Sequence, residues 1–73
     1  QEYNVPPPQK AITNLIADIT IRYFDNEDYD IALFLKKKIE KDSKYNNLDV
    51  NIQNMLPFFN YKAIHGLIEI WIK

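Results

Sequence analysis

The chain has no cysteine. Disulfides, thiolate metal sites and cysteine nucleophiles are excluded together. Its single glycine, Gly66, excludes the phosphate-cradling loops, which need several glycines to bring backbone against a ligand. A single histidine, His65, offers no second imidazole, so neither a structural zinc site nor any other metal or cofactor is expected. Charge of one sign is lacking too: nine Lys and Arg stand against ten Asp and Glu, a net of −1. Nucleic-acid binders neutralise phosphates with a basic excess, so no nucleic-acid partner is expected. Apolar runs such as Ile31–Phe34 fall far short of the roughly 20 residues that span a bilayer. No basic stretch followed by an apolar one opens the chain, so neither a signal peptide nor a membrane partner is expected. An intracellular location, cytoplasmic or nuclear, fits the lack of cysteine.

The residues that are present describe a folded module. Hydrophobic residues make up 47% and charged residues 26% of 73 positions, the balance of one globular domain. A chain of this length buries only about 60% of its unfolded surface. Small domains add disulfides, a metal or a partner subunit. The first two are missing here, which leaves the partner. The chain begins at Gln1, and it is expected to be a piece of a larger scaffold protein.

Residues 1–9, with Pro6, Pro7 and Pro8, read as an extended leader with polyproline character, and 10–73 as a helical interaction domain. Ile12, Leu15, Ile16, Ile19, Tyr23 and Phe24 recur at steps of three and four, predicting a first helix to Phe24. Asp25-Asn26-Glu27-Asp28 is a polar break in which Asn26 or Asp28 caps the next helix. That second helix is predicted from Tyr29 to Lys41 or Asp42, with Ile31, Leu35 and Ile39 on one stripe. Lysines 36, 37, 38 and 41 cover its other side and favour its negative end.

After the polar Ser43–Asn47 a short third helix is predicted from about Asp49 to Leu56, stopped by Pro57. Ile64, Leu67, Ile68 and Trp71 then predict a fourth, Tyr61 to Lys73, in which Gly66 costs about 1 kcal/mol and permits close packing. Ile68-Glu69-Ile70-Trp71-Ile72 also alternates like a strand. A lone strand without a hairpin partner forms no sheet, so helix is the expectation. The fold class expected is therefore all-α: a small bundle of about four short helices, completed by dimerisation.

No constellation carries chemistry. The acidic run Asp25–Asp30 has Asp30 where a calcium loop needs glycine and Lys36 where it needs glutamate, so it reads as a solvated capping turn. His65 reads as a packed or boundary residue beside an apolar stripe. Ile21, Leu33, Phe58, Phe59, Ile70 and Ile72 lie outside the helical stripes, more apolar surface than a monomer exposes. A protein interface is expected to absorb part of it.

Ile12, then Leu15-Ile16-Ala17-Asp18 and Ile19, followed by Tyr29, Ala32 and Leu35 at three-residue steps, resembles the LisH motif, a helical hairpin that dimerises eukaryotic scaffold proteins. The linker is about one turn longer, and Asp28 stands where the family has glycine. The resemblance implies two hairpins pairing into a four-helix dimer through Ile12, Leu15, Ile16 and Ile19. Val5-Pro6-Pro7 is similar to the docking-and-dimerisation domain of cyclic-AMP-dependent kinase regulatory subunits, and Met55-Leu56-Pro57 to the ubiquitin-binding CUE domain.

The expected function is a non-enzymatic protein–protein interaction module for self-association or partner docking. The alternatives are a nucleic-acid-binding helical domain and a monomeric helical subdomain of a larger protein. The expected partner is a second copy of the chain or a second protein. Candidate interface residues are Ile12, Leu15, Ile16, Ile19, Tyr23, Leu35, Ile64, Leu67, Ile68 and Trp71.

Overall fold

The computed structural model describes residues 4–10 and 17–73. It overturns the all-α expectation: these residues form one helix against a four-stranded mixed sheet, an α/β fold. Strand β1 is Gln9–Lys10, β2 Ile19–Tyr23, β3 Val50–Asn54 and β4 Ile68–Ile72. Helix α1, Tyr29–Lys41, comes after a 3₁₀ turn at Asn26–Asp28, and a second 3₁₀ turn spans Leu56–Phe59. The sheet order is β1-β4-β2-β3.

Among the described residues, strands stand where three of the four helices are expected, and for one reason. Ile19-Thr20-Ile21-Arg22-Tyr23, Val50-Asn51-Ile52 and Ile68-Glu69-Ile70-Trp71-Ile72 alternate with period two and are rich in β-branched and aromatic residues. Such segments suit a half-buried pleated surface better than a helix, where χ1 is restricted. The helix expectation for 68–72 rests on the want of a strand partner, and the fold supplies partners from distant segments. β4 pairs antiparallel with β2, Ile21 opposite Ile70, and β2 pairs parallel with β3, Ile21 opposite Ile52. The parallel pair needs a long crossover, and α1 provides it. The expected second helix is the one that forms, over Tyr29–Lys41.

β1 is short because of its prolines. Asn4 bridges to Leu67, then the ladder lapses through Val5–Pro8 and resumes with Gln9 opposite Trp71. Pro6, Pro7 and Pro8 have no N–H to donate, and proline is tolerated in a sheet only at its edge.

The core lies between α1 and one face of the sheet. Ile19, Ile21, Tyr23, Val50 and Ile68 are buried there with Ala32 of α1, and Ile31, Leu35, Ile39, Ile52 and Ile70 pack around them. Full burial of a side chain the size of Ile21 stabilises by about 1.5–3 kcal/mol. The alternate residues make a polar face. Arg22 Nε donates to Gln53 Oε1 at 3.0 Å, its guanidinium lies 4.8 Å from the Trp71 ring centroid, and Trp71 Nε1 donates to Glu69 Oε1. Among the described residues, no helix is long and apolar enough to cross a membrane.

Candidate functional site

The connection from β3 to β4 places its apolar side chains outward over residues 58–64. Phe58 is 68% exposed and Tyr61 73%, with Phe59 and Ile64 exposed beside them. Backbone hydrogen bonds frame the segment. Met55 N–H donates to Tyr23 O, Leu56 N–H to Asn54 Oδ1, Tyr61 N–H to Leu56 O and Lys62 N–H to Phe59 O, all within 3.0 Å. Ile64 N–H closes the connection onto Phe24 O at 2.8 Å. Leu56 is buried, and the Phe59 ring packs at 5.5 Å on the buried Phe24 ring. Pro57, expected to stop a helix, instead sits in the first turn of the 3₁₀ segment.

Asn60 and Tyr61 are consecutive left-handed residues, with φ of 53° and 59°. That region is common for asparagine and costly for a residue such as tyrosine. Strain of about 1–3 kcal/mol persists only where the surroundings dictate it. Here the result is a bulky ring held out in solvent.

A second apolar feature lies along the C-terminal half of α1. Pro8, Ile19, Ile39, Tyr45, Ile70 and Ile72 line a shallow groove, continued by Leu35. It exists because α1 packs over β2 and β3 and leaves the β4 side of that face less covered.

The ten residues expected at an interface are distributed through the fold. Ile12, Leu15 and Ile16 lie outside the described residues. Ile19, Tyr23 and Ile68 are buried within the chain itself. Leu35 and Ile19 border the groove, Ile64 is in the exposed connection, and Leu67 and Trp71 are half-buried. Of the residues carrying the LisH resemblance, Ile19 is on β2, while Tyr29, Ala32 and Leu35 are on α1. Phe58 and Phe59 are legible in the sequence as surplus apolar residues. Tyr61 is not, because the sequence pattern places it at a helix start.

The polar cluster at the head of α1 has no counterpart among the expected sites. Asp25 caps the 3₁₀ turn by accepting from Glu27 N–H at 3.1 Å. Asp28 stands at the N-cap position of α1, one of the two residues expected there, but makes no capping bond with its side chain; the side-chain cap is made one turn earlier, by Asp25 on the 3₁₀ turn. Asp28 is fully buried; its Oδ2 accepts from Gly66 N–H at 2.6 Å, and its Oδ1 accepts no hydrogen bond. Gly66 has φ of 84°, a conformation open to glycine, and its N–H makes this close approach. His65 is no boundary residue of a helix. Its Nδ1 lies 3.1 Å from Asp25 Oδ2, 3.3 Å from Asp28 Oδ1 and 3.7 Å from Glu27 Oε2. Only the acidic run itself signals the cluster in sequence, because the imidazole comes from 40 residues beyond Asp25.

Beside it, burial and the charge of neighbouring Tyr29 push the Tyr23 hydroxyl above its ordinary range. The two rings meet edge to face at 5.7 Å. Comparison with known protein families, characterised proteins and solved structures finds no match to the chain.

Proposed function

We propose that this chain is a protein interaction module without covalent chemistry of its own, and that two copies associate through the Phe58–Ile64 connection. The observation that carries this reading is the pair Phe58 and Tyr61, the two most exposed large apolar residues of the described chain, held on a hydrogen-bonded frame. Rigid aromatic anchors lose little freedom on binding, and they dominate interface energies. Backbone strain at Tyr61 accompanies the outward placement of its ring.

Charge and size favour a second copy over other occupants. A net charge of −1 sets up almost no repulsion between identical chains. A twofold contact buries the same apolar patch twice, and a core built from 73 residues gains from added burial. Nucleic acid is disfavoured by the same charge balance, and the open sheet face already pairs Arg22 with Gln53 and Trp71. The lack of cysteine fits an intracellular setting.

Sedimentation equilibrium of the full chain and of the Phe58→Ser/Tyr61→Ser double variant tests this. The expected result is a wild-type dimer at tens to hundreds of micromolar and a folded monomeric variant. A wild-type monomer throughout that range, or a variant that dimerises equally well, contradicts it.

A further inference from the structure

At the head of α1 and the end of the β3–β4 connection three carboxylate oxygens, Asp25 Oδ2, Glu27 Oε2 and Asp28 Oδ1, lie within 3.7 Å of a fourth donor, His65 Nδ1. We propose that these four bind one divalent first-row transition cation, of which zinc is the best fit.

Acidic residues beside a histidine are common without a metal, and Asp28 is what singles this cluster out. Its side chain is 0% exposed, and Oδ1 accepts no hydrogen bond. A buried carboxylate oxygen that accepts no hydrogen bond is costly, since it has given up those it made to water. The orphaned atom lies 3.3 Å from His65 Nδ1, the atom on which the Asp25 and Glu27 oxygens also converge. One N–H on Nδ1 has a single direction, and the best-placed oxygen for it is Asp25 Oδ2 at 3.1 Å. A cation bonds in four directions at once. It would satisfy Asp28 Oδ1 without withdrawing anything from Asp25.

The spacing suits a small cation. Tetrahedral zinc with bonds of about 2.0–2.1 Å holds neighbouring donors about 3.3–3.4 Å apart. The three distances from His65 Nδ1, at 3.1, 3.3 and 3.7 Å, straddle that edge length. The donor atoms of Asp25, Glu27 and His65 all lie within 4.8 Å of one another. Rotation of the Glu27 side chain, 79% exposed, closes the longest of the three. Calcium needs six to eight oxygens and magnesium an octahedron of them, so an imidazole nitrogen among four donors selects the transition series. The N-terminus of α1 contributes roughly half a positive charge against the cation. Three carboxylates outweigh it.

Bound there, the cation would tie the turn before α1 to the segment that ends the exposed connection, joining residues 40 apart in sequence. Titration of the full chain with zinc chloride, followed by calorimetry, tests the site, with cobalt(II) as a spectroscopic stand-in. One cation per chain is expected at micromolar or tighter affinity, with the strong visible absorption of a tetrahedral cobalt centre. Glu27→Gln, exposed and outside the core, should weaken binding about tenfold, and His65→Ala at least about a hundredfold. Asp30→Asn, an exposed acid outside the cluster, should bind as wild type. No saturable binding below millimolar cation overturns the proposal. So does wild-type affinity in both His65→Ala and Glu27→Gln, each shown to be folded by circular dichroism. Because neither substitution touches Phe58 or Tyr61, loss of the metal site and loss of self-association are separable.

Discussion

In the β2–α1–β3 unit Ile19, Ile21, Tyr23, Ala32 and Val50 turn inward, whereas in the connection to β4 Phe58, Phe59, Tyr61 and Ile64 remain exposed. Both regions are ordered by backbone hydrogen bonds, so the difference is not one of disorder against structure. In the first, folding takes the apolar residues out of water. In the second, the frame holds Phe58 and Tyr61 above all where folding gains little from them. An apolar side chain that contributes little to its own chain is available to another.

Substitutions sharpen that contrast, and the largest effect belongs to the inward set. Ile21→Ala or Ile68→Ala removes a fully buried side chain and should cost about 2–5 kcal/mol in denaturant unfolding. A loss below about 1 kcal/mol would mean the sheet face is not the core. Gly66→Ala puts a Cβ at φ 84° beside Asp28, and should destabilise by about 1–2 kcal/mol in the same assay. Tyr61→Gly removes left-handed strain from the outward set, so it should raise monomer stability by up to about 1 kcal/mol while weakening association. Phe58→Ser should leave monomer stability within about 0.5 kcal/mol, as exposed positions do.

The smallest effect is in pH. The Tyr23 hydroxyl titrates above its ordinary value in the folded chain. Its contribution is therefore complete below about pH 10, the unfolded value, and is lost as pH rises through the higher folded value. Tyr23→Phe should flatten that alkaline decline in thermal melts.

The polar breaks and α1 are legible in the sequence, whereas the strands read as helices. The helix is legible because Ile31, Leu35 and Ile39 face one way between an acidic turn and a lysine-rich end. The strands are not, because Ile19 and Tyr23 are four apart and satisfy both periods. Ile21, off the helical stripe, is the discriminating residue: it is fully buried in β2 and pairs with Ile70 and Ile52. Alternation over 68–72 is visible too, but its partners are distant in sequence and local pattern cannot supply them. Phe58 and Phe59 are legible as surplus apolar residues, but so is Ile21, and only the fold separates the buried one from the exposed two. The cluster around His65 is illegible, because proximity across 40 residues is a property of the fold.

Dilution of the ¹⁵N-labelled chain from millimolar to low micromolar, followed amide by amide in solution NMR, tests the central claim most directly. Self-association through the outward set predicts concentration-dependent shifts concentrated at residues 58–64, with α1 unmoved. Shifts confined to the groove beside α1, or a spectrum unchanged over the whole range, would contradict it.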